Sequence, residues 1–113
     1  MDRVYNKLVR DRIPEIIKAK GEEPITRELS LDEFKFALET KLKEECQEVI
    51  TASGKDRIEE IADTLEVLEA LAKLEGATLE DVITVADKKC TMRGAFDERI
   101  FLEKVIQNPN NNN

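Results

Sequence analysis

Histidine and tryptophan are both absent from the 113 residues of this chain. Without an imidazole, no Cys–His or Ser–His pair can form a covalent nucleophile, and zinc, iron and copper lack their commonest nitrogen ligand. The only two cysteines, Cys46 and Cys90, lie far apart and form no Cys-x-x-Cys motif. We therefore expect reduced thiols in a cytoplasmic protein rather than a disulfide framework or a thiolate metal site.

Aromatic residues, glycine and proline are also scarce. Aromatic side chains make up 4% of the chain, with four glycines and three prolines, which disfavours a β-sandwich. No apolar run approaches the roughly 18 residues of a membrane span, and no apolar segment follows the N-terminal charges. We expect neither a membrane-spanning helix nor a secretion signal. A net charge of −7 without a basic stripe argues against binding a nucleic-acid polymer.

What the chain does contain is typical of a helical domain: 41% apolar and 38% charged residues. Capping boxes, in which a side-chain oxygen and an acid three residues later bond each other's backbone, mark helix starts. A glycine past the last helical residue marks a helix end, so we expect Gly54 to end the second helix. These signals predict helices over residues 14–20, 31–53, 57–75 and 79–93, with capping boxes at Ser30–Glu33, Asp56–Glu59 and Thr78–Asp81.

Short glycine-containing loops join the three long helices, which indicates antiparallel neighbours. The predicted fold class is therefore an all-α antiparallel helical bundle, forming a single domain over residues 1–106. Alternating side chains after Pro24 predict a short extended segment near residues 24–29. Residues 95–106 are expected to form either a last short helix or an extended arm. The polar tail, residues 107–113, is expected to be disordered.

Helical periodicity places a carboxylate among apolar side chains on the second helix. At about 100° per residue, Leu38, Leu42 and Val49 share one stripe. Glu45 falls in the middle of that stripe, and Glu48 falls at its edge. A carboxylate in such a position loses much of its hydration, which is costly unless a cation compensates its charge.

The third helix repeats the anomaly. Glu60 falls between Val67 and Leu71, and Asp63 falls beside Leu74. On each helix the two acids are spaced i, i+3, which brings their side chains to one face. In an antiparallel hairpin that turns near residue 54, the two pairs of acids lie at equal distances from the turn. We therefore expect a cluster of four carboxylates between the two helices.

Four ionised carboxylates in one place repel one another, and a hard divalent cation relieves that repulsion. Mg²⁺ and Mn²⁺ prefer oxygen ligands, and the absence of histidine favours them over softer metals. The alternative is that the acids are solvated or paired with nearby cations such as Lys41. Their matched spacing favours a Mg²⁺ site, with Mn²⁺ as a substitute, whose ligands are Glu45, Glu48, Glu60 and Asp63.

These acids also carry a family resemblance. Residues 45–48 (ECQE) and 60–63 (EIAD) resemble the ExxE…ExxD signature of the MazG-like all-α nucleoside triphosphate pyrophosphohydrolases, relatives of phosphoribosyl-ATP pyrophosphohydrolase and the dimeric dUTPases. Residues 5–14 (YNKLVRDRIP) are similar to the YNKLVRDKIP start of one subgroup. Residues 88–103 resemble that subgroup's ending, although Ala95 replaces its usual second glycine. The resemblance covers about residues 5–103.

The resemblance implies hydrolysis of a nucleoside triphosphate, non-canonical ones included, to a nucleoside monophosphate and pyrophosphate. It implies that the four acids bind Mg²⁺ and that Glu48 also acts as general base. Glu66, one turn beyond Asp63, is a candidate to orient one of the metal ligands without binding the metal itself. The alternative is that Glu66 is an ordinary exposed helix residue. The candidates for binding the triphosphate, unless they only offset the acidic surface, are Lys7, Arg10, Arg12, Lys88, Lys89 and Arg93.

Two alternatives remain at this point. One is phosphoribosyl-ATP hydrolysis within the same superfamily, which the N-terminal motif disfavours. The other is a non-catalytic helical interaction module on the same scaffold, which the intact set of four acids disfavours. In every case we expect a homo-oligomer, specifically a dimer. The reasons are the family resemblance and the wide apolar arcs of the helices, which exceed what a small monomer covers.

Overall fold

The computed structural model describes residues 2–107, and within that range it contains four α-helices and no β-strand. The helices are α1 (Ile13–Ala19), α2 (Leu31–Thr51), α3 (Gly54–Leu74) and α4 (Leu79–Arg93). The all-α class is therefore confirmed. Residues 24–29 precede α2 without helix or strand structure. The predicted disordered tail lies outside the described residues, apart from Gln107.

Two of the three predicted capping boxes form. Ser30 Oγ accepts a hydrogen bond from the Glu33 backbone at 3.2 Å, and the Glu33 carboxylate accepts one from the Ser30 backbone at 3.1 Å. Thr78 and Asp81 make the same reciprocal pair at 3.1 and 2.9 Å. Each box satisfies backbone N–H groups that have no partner inside the helix. The starts of α2 and α4 are thus fixed locally by sequence.

The turn between α2 and α3 differs from the prediction. Gly54 does not end α2. It is the first residue of α3, and only Ala52 and Ser53, both extended, connect the two helices. Gly54 has φ +54°, a conformation that glycine adopts without strain. Because α3 begins here, the predicted Asp56–Glu59 capping box is wrong: Asp56 already lies in the first helical turn.

Arg57 fastens this tight hairpin. Its Nε donates to the carbonyl oxygens of Val49 and Ala52 at 3.1 and 2.9 Å, and its Nη2 donates to that of Ile50 at 3.4 Å. The last carbonyls of a helix have no partner within the helix and carry partial negative charge. The guanidinium of Arg57 on α3 therefore binds the carbonyl groups at the end of α2, and these bonds help to align the two helices.

The packing of α2 against α3 forms the core of the first part of the chain. Among residues 2–107, the buried apolar side chains are Leu38 on α2 and Val67 on α3. The arc of α3 that carries Val67 is the one on which the sequence placed its acids. A second apolar row, Ile61, Leu65 and Leu68, stays 48%, 46% and 44% exposed.

This exposed row belongs to an apolar groove between α2 and α3. We call it the α2–α3 groove. Its α3 wall includes the half-exposed leucines, and its α2 wall includes a free thiol. The residues that line it are Cys46, Val49, Ile50, Ile61, Thr64, Leu65 and Leu68.

The chain divides into two compact units, Met1–Val82 and Ile83–Asn113, with the boundary inside α4. The first unit contains α1, α2, α3 and the beginning of α4. In the second unit, Gly94 follows α4 with φ +79°, and residues 95–106 form no helix, which excludes one of the two predicted alternatives. One domain over residues 1–106 stays a prediction. Within the described residues, no helix combines the length and the apolar character that crossing a membrane requires.

Candidate metal centre

Three of the four predicted metal ligands meet between α2 and α3. Glu45, Glu60 and Asp63 each place a carboxylate oxygen so that the three oxygens lie within 4.8 Å of one another. Glu45 comes from the middle of α2, and the other two come from successive turns of α3. The tight hairpin sets these positions at the same level, as the spacing of the acids about the turn predicts.

Glu45 is the most unusual member of this cluster. Only 8% of the residue is exposed, and it is the buried charged residue of the described chain. Its Oε1 lies 3.8 Å from Nζ of Lys41, one helical turn away, but its Oε2 has no hydrogen-bond partner. Oε2 of Glu60 is likewise buried without a partner. Unpartnered buried carboxylate oxygens are costly when ionised, and either a proton or a bound cation removes that cost.

Glu48 lies at the exposed side of the cluster, next to both Glu45 and Glu60. A side-chain hydrogen bond with Glu48 is the main reason that the pKa of Glu60 rises to about 7, with burial and neighbouring negative charges adding to it. Burial is the main cause that raises the pKa of Glu45, followed by the charge of Glu48, and Lys41 partly opposes them. The four acids therefore act on one another as one electrostatic group.

Arg10 also reaches the cluster. Its Nη2 lies 2.6 Å from Oδ1 of Asp63, across 53 residues of sequence. The sequence predicted Arg10 as a phosphate-binding residue and gave no signal for this pairing, because the segment before α1 has no helical periodicity. The structure instead places its guanidinium on a predicted metal ligand.

The charges of the site favour a divalent cation. When all four acids are ionised, their four negative charges face two positive charges, on Lys41 and Arg10. Negative charge is therefore in excess, and a divalent cation would offset it. The donors are carboxylate oxygens alone, which suits these hard cations. The residues present therefore fit the predicted metal.

The remaining candidate residues lie outside the acidic cluster. Nζ of Lys7 is 5.9 Å from the centre of the Tyr5 ring, and Nε of Arg12 pairs with Glu15 at 3.4 Å. Glu66 is exposed on α3. Lys88, Lys89 and Arg93 are exposed on the part of α4 that belongs to the second unit. The roles predicted for these residues stay predictions.

Comparison with known proteins gives one partial match. A stretch of 50 residues is 52% identical to an uncharacterized protein from Mycolicibacterium smegmatis, and it covers 44% of this chain and 51% of that protein. The chain thus spans about half the length of the curated relative that it matches. No protein-family model matches the chain, and no solved structure matches it. Membership of the MazG-like family stays a prediction that depends on the motifs.

Proposed function

We propose that this protein is a Mg²⁺-dependent nucleoside triphosphate pyrophosphohydrolase. The observation that carries this proposal is the buried carboxylate of Glu45, whose Oε2 has no partner although it lies beside Glu60 and Asp63. A helix pair that only had to be stable would place an apolar side chain there, because a buried charge is costly. The motifs at residues 45–48, 60–63 and 5–14 support the same reaction class.

The proposed reaction is attack by water on the α phosphorus of the triphosphate. A bound Mg²⁺ would neutralise phosphate charge and lower the pKa of a coordinated water. The water oxygen would form a bond to the α phosphorus, the bond between the α phosphorus and the bridging oxygen would break, and pyrophosphate would leave with that oxygen. Glu48 accepts the proton of the water, a role that suits its exposed position at the edge of the cluster.

Cationic side chains near the N-terminus would bind the phosphates in this proposal. Lys7 and Arg12 are exposed and end in groups that hydrogen-bond phosphate oxygens. We place the reaction in the cytoplasm, since both cysteines are free and exposed, which suits a reducing compartment.

We further propose that the protein is a homodimer formed through the α2–α3 groove. Leu65 and Leu68 in this groove stay 46% and 44% exposed, and a second copy would cover them. On α3, residues 58, 61, 65, 68 and 72 are apolar and alternate in steps of three and four, the spacing of a helix that packs against another helix. A second copy offers the same row, so the face is complementary to itself.

The first prediction concerns metal binding. Mg²⁺ or Mn²⁺ should raise the melting temperature, because a ligand that binds only the folded state adds about 2.7 kcal/mol at 100 times its Kd. Glu45→Gln combined with Asp63→Asn should abolish the rise, measured by differential scanning fluorimetry. Asp56→Asn with Glu59→Gln is the control, since it removes the same charge from exposed positions of α3. A rise that survives in the first double variant would contradict the site.

The second prediction concerns pH without metal. Glu60 has a pKa of about 7 in the folded protein against 4.5 in an unfolded chain. The folded state therefore holds more protons between these values, and the contribution of Glu60 to stability falls as pH rises from about 4.5 to 7. Glu60→Gln cannot titrate and so does not undergo this loss. The free energy of unfolding of Glu60→Gln, measured by urea titration, should therefore exceed that of the wild type by an amount that grows as pH rises across that range. Glu59→Gln should show no such trend. An advantage that is independent of pH would refute the assignment.

The third prediction concerns the products. A nucleotide panel with Mg²⁺ should yield monophosphate and pyrophosphate, never diphosphate and phosphate, and ¹⁸O from labelled water should appear in the monophosphate. Label in pyrophosphate would mean attack at the β phosphorus. Glu48→Gln should lower kcat by about 10²-fold or more, as loss of a general base does, whereas Glu44→Gln, an exposed neighbour, should leave kcat unchanged.

The fourth prediction concerns assembly. Light scattering at micromolar concentration should give twice the 12.9 kDa mass of one chain. Leu65→Glu should shift the protein to monomers, because it places a charge in the groove that the second copy must cover. Ile25→Glu, at an exposed position outside the groove, should keep the dimer. A monomeric wild type, or a dimer that tolerates Leu65→Glu, would exclude this interface.

A further inference from the structure

Arg10 occupies a place where the acidic cluster takes a cation. Its guanidinium bonds Asp63 Oδ1 at 2.6 Å, and Asp63 shares the cluster with Glu45 and Glu60. A guanidinium cannot be deprotonated in a protein, so Arg10 holds a permanent positive charge against a predicted metal ligand. Any metal ion that binds Asp63 must therefore share that carboxylate with Arg10 or displace it.

The ion pair between Arg10 and Asp63 can open at small cost, so that each side chain can take another partner. Both side chains are about half exposed, and exposed ion pairs contribute little net stability. The carbonyl of Arg10 accepts a hydrogen bond from the Ile13 N–H, which joins its backbone to the start of α1. The same planar set of donors that fits a carboxylate also fits a phosphate.

We propose that Arg10 is an exchangeable counter-ion: it neutralises Asp63 in the metal-free protein and moves to a phosphate oxygen when the metal–triphosphate complex enters. This inference rests on the proposed function, since it needs both the metal and the phosphates at this cluster. The exchange conserves charge pairing. The metal takes over the charge of Asp63, and the phosphates give the guanidinium a new anionic partner. Arg10 is therefore a substrate-binding residue that also couples metal entry to substrate entry.

The exchange predicts opposite effects of one substitution on two affinities. Arg10→Gln removes a competitor for Asp63, so Mg²⁺ alone should bind about two- to fivefold more tightly, the range of an exposed ion pair. The same substitution removes a charge-assisted bond to phosphate, so the preformed complex of Mg²⁺ with inorganic tripolyphosphate should bind about tenfold or more weakly. Tripolyphosphate is chosen because it carries no base, so base preference does not affect the result.

Isothermal titration calorimetry measures both affinities in the wild type, Arg10→Gln and Arg3→Gln. The last is the matched control, because Arg3 also precedes α1 and pairs on the surface, with Glu22 at 2.6 Å. It removes the same charge and should change neither affinity beyond the weak effect of net charge. If Arg10→Gln does not fold, Arg10→Lys keeps the charge but loses the paired donors, and both affinities should move in the same directions by smaller factors.

Three results would overturn the exchange. Weaker binding of both ligands by Arg10→Gln would show that Arg10 supports the site structurally. Unchanged Mg²⁺ affinity would show that it does not compete for Asp63. Unchanged tripolyphosphate affinity would show that it meets no phosphate. Absence of Mg²⁺ binding in the wild type and in Arg10→Gln alike would instead overturn the proposed function itself, so the two failures are distinguishable.

Discussion

The antiparallel contact between α2 and α3 is the interaction on which the rest of the first unit depends. It buries Leu38 and Val67, and it also brings Glu45 against Glu60 and Asp63. The same packing that removes apolar surface from water therefore concentrates negative charge. Apolar burial stabilises the contact, while the crowded carboxylates oppose it. The raised pKa of Glu60 is one measure of that opposition.

Local signals in the sequence predicted much of the fold. The Ser30 and Thr78 capping boxes gave correct helix starts, because such boxes depend only on residues within one turn. The turn was not predicted correctly. Gly54 adopts a positive φ at the start of α3, although glycine takes that conformation more often past a helix end, so periodicity and glycine alone misplaced the boundary. The side chain of Arg57 bonds carbonyls at the end of the preceding helix, and a local sequence pattern does not reveal such bonds.

The acidic cluster was predictable for a related reason. Glu45 and Asp63 lie at equal distances from the turn, so an error of a few residues in helix ends did not move them apart. The Arg10–Asp63 pair was not predictable, because an irregular segment has no period that tells where its side chains point. The exposed row of Ile61, Leu65 and Leu68 was visible as an apolar stripe. Periodicity did not show which of the two apolar arcs of α3 faces α2.

The two-residue connection has a consequence for how this sequence can change. One residue inserted between Thr51 and Gly54 would add up to about 3.5 Å of extended chain to this connection and would change the alignment of α3 against α2. Arg57 would lose its carbonyl partners, and Glu60 and Asp63 would turn away from Glu45. The same insertion after Leu74 would leave all of these contacts intact. Insertions and deletions among natural relatives should therefore be scarce at residues 52–53 and tolerated after α3. Selection to keep the acidic cluster should then be seen in the length of the α2–α3 connection rather than in which residues form it.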